Sequence, residues 1–131
     1  ISFLVGCSSD STDSITGSIE ENIVGRWAIV AHESENGFEE YYNTCTDYKD
    51  YIEFFNGGAY AERSYDLSCE SSDTSGRWEI DGYNVKVYSN ETKVVKVYTV
   101  SHLKGNKLTL DAAVMQSMGV GINLTTHYSR Q

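Results

Sequence analysis

The chain is expected to be all-β, a single eight-stranded up-and-down antiparallel barrel behind a flexible N-terminal tether. Three observations carry that expectation. From Val24 onward, short runs of β-branched and aromatic residues alternate with polar ones at a period of two. Turn residues separate the runs at Asn56-Gly57-Gly58, Asp81-Gly82, Ser89-Asn90 and Lys104-Gly105-Asn106, and such pairs tolerate positive φ and so favour tight hairpins. Proline is absent from all 131 residues, so no strand position is barred from pairing. Short strands joined by hairpins form a meander, and closure into a barrel removes the exposed edges.

The elements follow in order. Residues 8–22 are rich in Ser, Thr, Asp and Glu and too poor in apolar side chains to order themselves, which predicts a flexible tether. Strands are expected near 25–32, around Trp27 and Ile29, then near 50–55 and 58–66 on either side of the first glycine turn. Two more are expected near 76–81 and 83–89, where Trp78, Ile80, Val85 and Val87 keep the alternation. The last three fall near 93–102 (Val95, Val97), 106–111 (Leu108, Leu110) and 122–129 (Leu124, Tyr128). Residues 34–49 read as a long loop, and Ala112 to Met118 as a short helix or a loop folded over a barrel end.

Leu4-Val5-Gly6-Cys7 resembles the site at which bacterial lipoproteins are cleaved and lipidated, with an apolar pair, a small residue and then cysteine. That resemblance makes residues 1–6 the remnant of a lipoprotein signal peptide, residues 7–22 a lipidated tether starting at Cys7, and residues 23–131 the folded domain. It implies a place in the cell envelope as an outer-membrane lipoprotein, periplasmic or surface-exposed. No apolar run approaches the roughly 20 residues that cross a bilayer, so the membrane would be reached through the lipid anchor only. The net charge of −9 repels phosphate backbones, so no nucleic-acid partner is expected.

With Cys7 assigned to lipid, Cys45 and Cys69 remain as a pair. Outside the cytoplasm such a pair in a small domain is expected to form a disulfide, pinning the 34–49 loop to the loop near 67–75. No four-ligand zinc spacing occurs, and no metal or cofactor is expected.

Gly25-Arg26-Trp27 opens the first strand and Gly76-Arg77-Trp78 opens a later one. Between and around them stand Cys45, the aromatic run Glu53-Phe54-Phe55-Asn56-Gly57-Gly58, Cys69 and a closing Tyr128-Ser129-Arg130. This ordered set resembles the lipocalin-like domain of Bacteroidetes lipoproteins over roughly residues 23–130. The resemblance implies a lipocalin-like barrel with a cavity, and places the loop after the first strand at its open mouth. It names no ligand, and a fold of this kind hosts many roles.

Candidate residues come in two groups. Trp27, Phe54, Trp78, Val85, Val97 and Leu108 are expected to floor or line the barrel, around a ligand or simply as a solid core. An internal void of several hundred Å³ would distinguish the two. Tyr41, Tyr42 and Tyr48 are the candidate ligand or rim residues, within a segment from Glu33 to Tyr65 that holds six of the ten tyrosines among many acids. Tyr51, Tyr60 and Tyr65 read as ordinary strand tyrosines. Asp47 and Asp50 with Glu39 and Glu40 match no calcium-loop spacing. His32 and His127 fall on the first and last strands, which meet on closure, but no nucleophile motif accompanies them and no catalytic residue is assigned. The expectation is a non-catalytic protein binding a small, largely apolar molecule. The alternative is an interaction module whose acidic, tyrosine-rich rim binds a macromolecular partner, either a glycan or a protein such as a basic hydrolase that it inhibits.

Overall fold

The computed structural model describes residues 15–41, 45, 48–91, 95–115 and 121–131, with side chains left undescribed at 113–115, 121 and 122. Cys7 and Tyr42 lie outside the described residues. Among those described, the chain forms one short helix, α1 (Ile19–Asn22), and nine strands. The strands are β1 (Gly25–Ser34), β2 (Gly37–Glu40), β3 (Tyr51–Phe54), β4 (Ala59–Tyr65), β5 (Ser71–Asp81), β6 (Asn84–Ser89), β7 (Val95–Lys104), β8 (Lys107–Met115) and β9 (Gly121–Arg130). Every strand pairing is antiparallel. β1 joins β3, β3 to β9 follow in chain order, and β9 pairs back with β1, so eight strands close a barrel.

β2 is the strand that the sequence hides. It folds back from Gly37 and pairs with the upper part of β1, from Ser34↔Gly37 to Ala31↔Glu40. All four of its residues are exposed, so no burial period marks it. The expected 34–49 loop is therefore part hairpin. β8 also runs on through Met115, laddered against β9 at Ala112↔Leu124 and Val114↔Ile122, so Ala112–Met115 is strand and not the short helix or loop expected. β5 begins at Ser71, within the expected loop near 67–75.

The N-terminal segment departs from a flexible tether at Ile15, which bridges to Leu103. Thr16 N–H donates to Leu103 O at 3.0 Å. Ser18 caps α1 by accepting from Glu21 N, with Glu20 and Glu21 in the first turn beside the positive end of the helix. Ile19 and Ile23 are buried, packed into the core beside Trp27. Burial of those two isoleucines outweighs the polar composition around them.

Two bulges set which residues turn inward. On β1, Ile29 pairs with the buried Tyr128, but after a shift Ala31 pairs with His127 and His32 with Thr126. On β7, Val100 pairs with the buried Leu110, and after a second shift Leu103 pairs with Leu108. Each extra residue reverses the alternation along its strand.

Candidate functional site

The lumen is built from its closed end upward. Trp27 and Phe54 are fully buried there, with Trp78, Val85, Val87, Leu103 and Leu108 around them. Phe54 meets Trp78 edge-on at 5.3 Å between ring centroids. Both indoles place their polar edge on backbone, Trp27 Nε1 donating to Ile23 O at 2.8 Å and Trp78 Nε1 to Phe55 O at 3.0 Å. Arg130 closes the floor. Its guanidinium lies 4.2 Å from the Trp27 ring and donates to Val24 O at 2.9 Å and Asn22 O at 2.8 Å.

The two glycines before the tryptophans serve this packing. A Cβ on Gly25, whose φ is +136°, would stand 2.6 Å from Arg130 Nη1. A Cβ on Gly76 would stand 1.9 Å from the Tyr88 carbonyl oxygen of the neighbouring strand, a distance that no side chain can occupy.

Above the floor the inner face becomes polar. Tyr60 pairs with Phe54 and Glu62 with Ile52, so both turn inward with those buried residues. Tyr60 donates its hydroxyl to Glu62 Oε1 at 2.6 Å. Tyr98, paired with the buried Val85, and Tyr128, paired with Leu108, turn toward the same space. Burial pushes the Tyr98 hydroxyl up to about 12, with the Glu62 carboxylate adding to the rise. Burial likewise raises Tyr60, which Glu62 raises further, and Tyr128 well above the ordinary tyrosine range. His32 Nδ1 lies 3.3 Å from Thr126 Oγ1 on the inner face. Higher still, Ser64, Ser72 and Lys96 also turn inward by register, yet all three are solvent-exposed.

Five of the six expected floor residues, Trp27, Phe54, Trp78, Val85 and Leu108, converge in one buried cluster. Val97 does not. It is 48% exposed on the outer wall, as is Val95 at 50%. Counted back from Leu103, Val97 falls in the inward phase, but the bulge between Val100 and His102 reverses that phase, so Lys96, Tyr98 and Val100 turn inward.

The rim residues divide as well. Tyr41 stands edge-on to the inward His32 at 6.1 Å, which places it at the mouth. Tyr48 stacks on Tyr65 at 5.2 Å. Tyr65 continues the odd-numbered phase of β4, so this pair sits on the outer wall. The Cys45–Cys69 disulfide forms and ties this segment to the β4–β5 turn. His32 and His127 lie on paired strands but on opposite faces. His127 is outside, its Nδ1 3.1 Å from Thr109 Oγ1 and its Nε2 3.1 Å from Glu33 Oε1, beside the ring of Phe38. These residues line a cleft of about 760 Å³ on the outer wall. Another, of about 710 Å³, lies outside the closed end between Ile15, Ile19 and Tyr83.

The inward polar group of Tyr60, Glu62, Tyr98 and Tyr128 is what the sequence reading missed. The signal was present in the hairpin around Asn56-Gly57-Gly58. With Ile52 and Phe54 inward, the pairing across that turn puts Tyr60 and Glu62 inward too.

A closed eight-stranded barrel with a tryptophan-plugged floor and an open mouth is the architecture of a lipocalin-like cup. The chain belongs to the family described as the lipocalin-like domain, which it matches over residues 23–110. A comparison with curated proteins finds no match. Among solved structures it is similar to a lipocalin-like protein from Bacteroides uniformis, with 11% identity, 84% of this chain and 99% of that one covered, and a TM-score of 0.63. It is also similar to a protein from Bacteroides eggerthii, at 11% identity, covering 83% of this chain and 99% of that one with a TM-score of 0.59. Aphrodisin, a sex pheromone from female hamster, shares 10% identity, with 83% of this chain and 75% of that one covered and a TM-score of 0.51. At such identities the likeness is one of fold alone.

Proposed function

We propose that this domain is a non-catalytic binding protein that takes a small, largely apolar ligand into its barrel through the open mouth. One observation carries the reading. The inner face runs from fully buried at Trp27, Phe54 and Leu108 to solvent-exposed at Ser64, Ser72 and Lys96, although all of these turn inward. Solvent thus reaches the upper part of that face. The apolar floor suits the body of a ligand, and a few polar groups above it suit its orientation. Membership of the lipocalin-like family supports the same reading.

The setting we propose is the bacterial cell envelope, with lipid on Cys7 as the only membrane attachment. Leu4-Val5-Gly6-Cys7 and the disulfide support it. The N-terminal segment docks at the closed end, through Ile15 on Leu103 and Ile23 beneath Trp27. An anchor on Cys7 would then leave the mouth facing away from the membrane.

Native mass spectrometry of the protein purified from its host tests the binding reading. An extra mass released by denaturation is expected, and so is saturable uptake of an apolar fluorophore. Both should vanish in Thr74→Trp, which places an indole in the lumen opposite Glu62, while the circular dichroism of the barrel stays unchanged. A bare mass together with no fluorophore uptake would refute the cup. A macromolecular partner at the rim is the second reading. It is favoured by Leu67 at 89% exposure, two residues from a disulfide cysteine. Partner capture that survives Thr74→Trp would favour it.

A further inference from the structure

We infer that the ligand of this cup carries a positively charged nitrogen, held by the Glu62 carboxylate within a collar formed by Tyr60, Tyr98 and Tyr128. This rests on the lumen-binding reading above and adds the chemistry of the ligand's head.

Glu62 is an unusual residue to turn into a barrel. It shares its face with the buried Ile52, and one of its oxygens accepts the Tyr60 hydroxyl. Among the described residues no cation pairs with it. The arginines that form ion pairs meet other acids: Arg26 meets Glu53, Arg63 meets Asp73 and Arg77 meets Glu79. Arg63, its neighbour in sequence, points to the opposite face of the sheet. Three basic residues do turn inward by register, and all three are held elsewhere. His32 stands against Thr126, its Nδ1 3.3 Å from the Oγ1. Arg130 is tied to the floor by Asn22 and Val24, and Lys96 stands exposed at the rim.

A partly buried carboxylate with one hydroxyl donor and no cation keeps acceptor capacity for a further partner. A ligand ammonium would fill it with a charge-assisted hydrogen bond. The tyrosines favour the same species, because aromatic faces attract a cation that has left water. They also disfavour the opposite one. The raised Tyr98 hydroxyl records an environment that already resists a further negative charge beside Glu62. An acidic head would meet that carboxylate inside the wall. The overall charge of −9 draws cations toward the protein from a distance.

The test compares three probes of one chain length, octylammonium, octanol and octanoate, by calorimetric titration of the purified protein at neutral pH. Octylammonium is expected to bind roughly tenfold or more tightly than octanol, the factor that a charge-assisted hydrogen bond supplies. Octanoate is expected to bind most weakly. Glu62→Gln keeps the shape and removes the charge, and should abolish the preference. Glu79→Gln, which removes a carboxylate bound to Tyr88 and Arg77, should leave it intact and so exclude bulk charge as its source. Equal binding of octanol or octanoate, or a preference that survives Glu62→Gln, overturns the inference and leaves the cup standing. Binding of none of the three overturns the cup itself.

Discussion

Replacement of Arg130 by alanine is expected to loosen the closed end of the barrel by about 2–3 kcal/mol. The guanidinium makes two charge-assisted bonds to backbone, 2.9 Å to Val24 O and 2.8 Å to Asn22 O, and lies 4.2 Å from the Trp27 ring. Each bond contributes about 1.5 kcal/mol at the lower end of its class, since Arg130 is half-buried. The ring contact adds about 1 kcal/mol. Part of this returns on truncation, because the carbonyl of the exposed Asn22 regains water. Arg130→Lys separates charge from geometry, since an ammonium cannot span both carbonyls while facing the ring. A loss of about 1–2 kcal/mol is expected for lysine, between alanine and the native residue. Urea unfolding followed by tryptophan fluorescence reads both variants, with a midpoint shift of about 1–2 M for alanine. Equal stability of the lysine variant and the native protein would show that charge alone suffices. An alanine variant within about 0.5 kcal/mol of the native protein would show that Arg130 does not hold the floor.

Two further outcomes are expected. The hydroxyls of Tyr60, Tyr98 and Tyr128 are all raised by burial, so the folded state keeps protons that the unfolded chain loses near pH 10. Their contribution is full below pH 10 and is lost as pH rises through the folded value, about 12 for Tyr98, so stability falls across that window. In an alkaline titration followed by tyrosinate absorbance, three tyrosines should ionise late and together with unfolding, whereas ionisation of all ten in one early step would place them outside the lumen. Reduction of the Cys45–Cys69 bond, whose cysteines are 24 residues apart, is expected to cost roughly 3–4 kcal/mol and lower the melting temperature by more than about 10 °C. A fall of less than about 3 °C would mean that the unfolded chain is not constrained by the bridge.

Much of the barrel was legible because its signals are local. Gly25 and Gly76, the turns at Gly57-Gly58, Gly82 and Gly105, and the period-two runs each report on their own few residues. The same locality explains the failures. β2 carries no burial contrast, so nothing distinguishes Phe38-Glu39-Glu40 from loop. Ser71 to Ser75 read as loop because this part of the strand has no apolar face. Here the inward residues, Ser72 and Thr74, line the polar half of the lumen. Ile15 to Asn22 read as tether because the buried Ile19 is diluted among hydroxyls and acids. Its burial depends on Leu103 and Trp27, which are distant in sequence.

The site was harder to read for a reason specific to barrels. Period two divides a strand into two faces but does not say which face is inside. Apolar content usually decides, and at Val95-Lys96-Val97-Tyr98 it decides wrongly, because the mouth of a cup reverses the usual rule. There the inward face is wet and polar while valines sit on the outer wall. A bulge compounds the error by reversing the phase that Leu103 would otherwise fix. The structure distributes the dense tyrosines between Glu33 and Tyr65 over both faces of the wall. Tyr48 went to the outer wall, and Tyr60, which read as an ordinary strand tyrosine, turned in beside Glu62. Phase propagated outward from a residue of secure burial, such as Phe54 across its glycine turn, locates such a site where composition does not.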